Sequence, residues 1–92
     1  MHLDSLSYTV ATIVKDLSSS PIVRKRLARF ATGKQFRWKD WLAELEWLGK
    51  QRSPINGPIQ EDTGKALMQY LYGLELYRHG DYFYWIWTPP NH

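Results

Sequence analysis

The side chains best suited to chemistry in this 92-residue chain are its cations. Arg24, Lys25, Arg26, Arg29, Lys34, Arg37 and Lys39 crowd residues 24–39, and no acid stands among them. The flanks have the opposite sign. Residues 1–23 hold Asp4 and Asp16 against Lys15, and residues 40–62 hold Asp40, Glu44, Glu46, Glu61 and Asp62 against Lys50 and Arg52. The formal net charge of +3 therefore conceals a concentrated positive block. Such a block attracts anions, above all nucleic-acid phosphates, where each neutralised phosphate releases counterions. The plainer alternative is a solvated helix face that keeps a small aromatic protein in solution.

Aromatic side chains form the second candidate. Tyr77, Tyr82 and Tyr84 fall on one face of an expected hairpin, and Trp47 falls off the main stripe of its helix. These rings could stack bases or meet a protein partner, since Tyr is enriched at interfaces. The competing expectation is that the first helix packs over the Tyr face, because its apolar stripe needs a partner. The other reactive types are scattered. His2, His79 and His92 lack metal-ligand spacing, and the absence of Cys excludes a disulfide framework, a thiolate zinc site and a Cys nucleophile. Ser18, Ser19 and Ser20 are explained by helix ending and capping, and Gly57, Gly64, Gly73 and Gly80 by turns and boundaries. No enzymatic activity, metal or cofactor is expected.

The elements that position these groups are legible from periodicity. Leu3, Leu6, Val10, Ile13, Val14 and Leu17 mark an amphipathic helix over residues 3–17. Ser20-Pro21 starts a second helix, Pro21 to Ala31, which buries Val23, Leu27 and Phe30 and presents Arg24, Lys25, Arg26 and Arg29. Thr32-Gly33 closes it, and Gln35-Phe36-Arg37 is a short extended link or minor strand. A third helix, Trp38 to Lys50, places Trp38, Trp41, Leu42, Leu45 and Leu48 on one stripe, with Glu46 and Lys50 paired outside. Ser53-Pro54-Ile55-Asn56-Gly57-Pro58 is a loop. A fourth helix, Asp62 to Tyr72, buries Ala66, Leu67, Tyr70 and Leu71.

The chain then enters a β-hairpin through Gly73. With a His79-Gly80 loop, Arg78 pairs with Asp81, Tyr77 with Tyr82, Leu76 with Phe83 and Leu74 with Trp85. Leu74, Leu76, Phe83, Trp85 and Trp87 then line the core face, with Glu75 and the three Tyr on the other. Thr88-Pro89-Pro90 ends the hairpin. The fold class is mainly α with a C-terminal hairpin, four helices plus a two-stranded wing in a single domain over residues 1–92.

Beyond the first helix, the order helix, short strand, helix, helix, wing over residues 20–88 resembles the winged helix-turn-helix superfamily. Thr63-Gly64-Lys65-Ala66-Leu67, Leu71-Tyr72-Gly73-Leu74-Glu75 and Tyr82-Phe83-Tyr84-Trp85 look like the winged domain near the C-terminus of phage and poxvirus-type primase–helicases. The resemblance implies DNA binding, as in a phage or mobile-element regulator or accessory factor. It casts the fourth helix as the recognition helix, with Lys65 and Gln69 reading bases and Arg78 and His79 contacting from the wing tip. Charge points elsewhere. Glu61 and Asp62 suit a helix N-terminus but oppose phosphates, so the second helix is expected to contribute more than the fourth. The alternative is a protein-interaction module, an inhibitor or adaptor meeting a host or viral protein through Trp47, Tyr77, Tyr82 and Tyr84. A homodimer through the first helix or the Tyr face is a third expectation. The N-terminal stretch lacks a signal-peptide pattern and no apolar run could span a bilayer, so a cytoplasmic protein without a membrane partner is expected.

Overall fold

A computed structural model describes residues 2–51 and 57–87, with side chains from residue 10 onward. Among these residues the order is α1 (His2–Ser18), α2 (Pro21–Leu27), a 3₁₀ turn (Ala28–Phe30), β1 (Phe36–Arg37), α3 (Trp38–Lys50), α4 (Glu61–Tyr72), β2 (Leu74–His79) and β3 (Tyr82–Trp87). The fold is α+β and mainly helical. The boundaries have local causes. Ser20 Oγ accepts the Val23 N–H at 3.4 Å with Pro21 at the first turn, and α4 ends at Gly73 in the left-handed conformation, φ 66°. The second helix tightens into the 3₁₀ turn at Ala28, earlier than its apolar spacing predicts, and this turn carries Phe30 into the core. The long loop before α4 and the Thr88-Pro89-Pro90 terminator lie largely outside the described residues; of the loop, Gly57 and Pro58 are described.

The sheet has three strands rather than two. Phe36 and Arg37 pair antiparallel with Phe83 and Tyr82, giving the order β1-β3-β2. The hairpin register also differs from expectation. Leu74 faces Trp87, Leu76 faces Trp85, Tyr77 faces Tyr84 and His79 faces Tyr82, so the loop is Gly80-Asp81. The cause is backbone sterics: Gly80 takes φ 59°, while no described non-glycine residue has a positive φ. Gly at the first central position is the pattern of a II′ turn. A slip of two residues leaves every side chain on its expected face. Arg78 does not pair with Asp81. Its Nε donates to the Gly80 carbonyl at 2.9 Å, and its guanidinium lies 3.9 Å from the centre of the Trp38 ring.

The core is aromatic where helices meet the sheet. Phe30 and Trp41 pack edge-on at 5.5 Å, Trp41 and Trp85 at 5.1 Å, and Trp38 and Phe83 at 5.7 Å. Each such pair contributes about 0.5–1.5 kcal/mol beyond burial. Three expected core residues lie outside it: Leu42 is 45% exposed, Tyr70 66% and Trp87 61%. The buried side of α4 instead runs through Thr63, Gly64, Leu67 and Met68. Gly64 sets this rotation, since a Cβ there would lie 2.6 Å from Leu45 and 2.9 Å from Trp41. The first helix packs chiefly on α4 and also on α2. No helix among the described residues is long and apolar enough to cross a membrane.

Candidate nucleic-acid interface

Val23 and Leu27 turn one side of α2 inward, which leaves Arg24, Lys25 and Arg26 outside. Two of the four cations of this segment are then turned toward α3. Arg26 Nε meets Glu44 Oε2 at 2.7 Å, and Arg29 Nη2 meets Glu44 Oε1 at 2.6 Å. Glu44 is fully buried, while the two guanidinium groups remain partly exposed. They also lie on rings, Arg26 at 4.3 Å over Trp47 and Arg29 at 4.4 Å over Phe30. The carboxylate thus cancels one of two positive charges, and this part of the basic block is weaker toward phosphate than its sequence suggests. Sequence reasoning missed Glu44 as a partner. The signal was present: Glu44 sits three residues after Trp41 and four before Leu48, on the apolar stripe of α3. Glu46 and Lys50 pair on the exposed side at 3.6 Å.

Arg24 ties three helices together. Its Nη1 donates to the Ser18 carbonyl at 3.1 Å, and its own carbonyl accepts the Tyr72 hydroxyl at 2.6 Å. Burial pushes the Tyr72 pKa above its ordinary value of 10.0, partly offset by the Arg24 charge. Lys25 stands exposed on the same helix.

Arg37 and Lys39, at the far end of the block, stand together at the start of α3. The Trp38 N–H donates to the Asp81 carbonyl at 2.6 Å, which pins this helix start to the hairpin turn. Arg37, Trp38, Lys39, Leu42, Asp81 and Tyr82 line an open cleft of about 360 Å³. Arg37 is the strand partner of Tyr82, so both side chains leave the same face of the sheet. Arg37, Lys39 and Tyr82 are exposed, as is Lys34 in the preceding turn. Among the described residues Asp81 is the one acid lining the cleft.

Lys65 and Gln69, one helical turn apart, line a different cleft of about 360 Å³ between α4 and β2, together with Ala66, Leu74, Glu75, Leu76 and Trp85. Glu75 stands in it, and Glu61 and Asp62 are exposed at the helix start. These carboxylates oppose a phosphate at that end. Arg78 and His79, adjacent in sequence, leave opposite faces of β2. His79 stacks on Tyr84 with centroids 6.2 Å apart and Tyr77 stacks on Tyr84 at 5.6 Å, each at 13° between planes. Trp47 is half-buried beneath Arg26 and does not join these rings. No group of three or more His, Asp or Glu among the described residues could hold a metal ion. Comparison with protein-family models, with curated proteins and with solved structures finds no match.

Proposed function

We propose that this chain is a small winged-helix-like nucleic-acid-binding protein whose phosphate contacts centre on Arg37 and Lys39. The observation that carries this reading is the cleft between α3 and the hairpin turn, where both cations stand exposed beside the Tyr82 ring. Lys25 and Lys34 are further exposed cations, and Arg24 is exposed with its guanidinium bonded to the Ser18 carbonyl. Arg26 and Arg29 contribute one net charge between them because Glu44 holds both. The order α2, β1, α3, α4, β2, β3 supports the winged-helix reading, with β1 joined to the hairpin as a third strand. The acidic start of α4 makes that helix a minor contact. Lys65 and Gln69 then act as secondary groups.

Fluorescence anisotropy with labelled duplex and single-stranded oligonucleotides, read at rising salt, tests the proposal. Each phosphate contact contributes roughly 0.9 to the log–log salt slope on duplex DNA and about 0.7 on a single strand. An Arg37→Ala/Lys39→Ala variant should flatten that slope by up to about two on duplex with its fold intact. No binding to any oligonucleotide at low salt would end the reading.

A second reading, a protein-interaction module, is favoured by the large apolar side chains left outside. Ile22, Tyr70 and Trp87 are each more than 60% exposed. Light scattering at two concentrations tests the simplest form of it, self-association. A Tyr70→Ser/Trp87→Ser variant that leaves any association unchanged would contradict it.

A further inference from the structure

We propose that the outer edge of β2 is a docking site for an extended peptide of another protein, which joins the sheet as a fourth strand. The strand order β1-β3-β2 leaves β2 at the edge of the sheet. The Gly80-Asp81 loop closes on His79 and Tyr82 as a hydrogen-bonded pair, and bonded pairs alternate from there to Tyr77–Tyr84 and Glu75–Ile86. The main-chain groups of Leu74 and Leu76 therefore point out of the sheet. Among the described residues, no bond from a helix, turn or loop reaches them. An edge of this kind is a template for a further strand.

The cleft of about 360 Å³ between α4 and β2 decides what that strand carries. Leu74, Glu75 and Leu76 all line it, so it follows the edge of the strand and not one face alone. Its apolar floor is Ala66, Leu74, Leu76 and Trp85, with Leu76 only half-buried. A strand laid along β2 turns alternate side chains toward this floor and the others toward Glu75 on the outer face. Glu75 is exposed there, and Lys65 is exposed on the helix wall. The peptide that fits has aliphatic residues and an acid on the cleft side, and Lys or Arg beside Glu75. A second copy of the chain fits badly. A two-fold axis at Glu75 sets that residue against itself, and an axis at Leu76 or Tyr77 sets Arg78 against Leu74 or Leu76.

The probe is a heptapeptide, Thr-Glu-Lys-Val-Lys-Val-Thr, which presents Glu and both Val on one side and Lys on the other. Titrated into the full chain and followed by amide NMR shifts, it should bind saturably below about 1 mM. The shifts should be confined to β2 and to the Lys65–Gln69 side of α4. N-methylation of the central Val keeps every side chain but removes the N–H that faces β2, and should abolish binding. Exchanging Glu and Lys within the peptide should weaken binding about fivefold, and Glu75→Lys should reverse that preference. Glu75 is exposed, so this variant keeps its fold. An absence of saturable binding, an affinity unchanged by N-methylation, or shifts centred elsewhere would overturn the proposal. Concentration-dependent shifts along β2 without peptide would assign the edge to a second copy and overturn it equally. Each of these outcomes is independent of oligonucleotide binding at the Arg37–Lys39 cleft.

Discussion

Glu44 is the residue on which the basic segment turns. A fully buried carboxylate gripped by two arginines from another element is tolerated because both its oxygens are satisfied. Stripping its partners leaves an uncompensated charge in the core. An Arg26→Ala/Arg29→Ala variant should therefore lose about 3–5 kcal/mol, read from urea unfolding, whereas a purely phosphate-binding pair would cost almost nothing. Tyr72 supplies a second residue-scale test. Its folded pKa lies above the ordinary 10.0, mainly through burial, so the neutral hydroxyl is the form the fold favours. That stabilisation is complete below pH 10.0 and is lost as pH rises through the higher folded value. Tyr72→Phe should lose roughly 1 kcal/mol at neutral pH with the Arg24 hydrogen bond, and should lack this part of the alkaline decline in a pH series of melts.

At the scale of elements, what was legible follows from local chemistry. Ser20-Pro21 and Gly73 mark helix ends by their own conformational preferences, and α3 runs from Trp38 to Lys50 as its stripe predicts. The hairpin faces were legible because alternation survives a two-residue slip. The register was not, since it depends on which loop residue takes the positive φ. Docking of α1 was likewise hidden: an apolar stripe states that a partner is needed but does not say which one. Close approaches between elements leave faint marks of the same kind. Gly49 on α3 reads as an ordinary helical residue, yet a Cβ there would collide with the Gly57 carbonyl oxygen. The incoming chain is held beside it by the Ile59 N–H donating to the Leu45 carbonyl at 3.0 Å. Gly49→Ala should gain helix propensity and still lower the melting temperature, with overpacking costing about 1–3 kcal/mol.

At the scale of the molecule, the count of cations was legible and their disposition was not. Seven positive charges in residues 24–39 read as one patch, but folding divides them. Two are held by a carboxylate from α3, one is bonded to the end of α1, and two reach the cleft beside the hairpin turn. This division needs partners distant in sequence, which no local pattern reveals. It also moves the expected weight of binding from α2 to the Arg37–Lys39 edge. The winged-helix resemblance would instead place it on α4, where Glu61 and Asp62 stand in the first turn and Glu75 lines the same cleft as Lys65. The decisive measurement is a salt titration of binding to one labelled oligonucleotide, comparing wild type, Arg37→Ala/Lys39→Ala and Lys65→Ala/Gln69→Ala. We predict that the first pair lowers affinity at every salt concentration and flattens the slope by up to about two on duplex, while the second changes it by about one or less. Binding abolished by the Lys65–Gln69 pair and untouched by the Arg37–Lys39 pair would contradict the assignment of the interface.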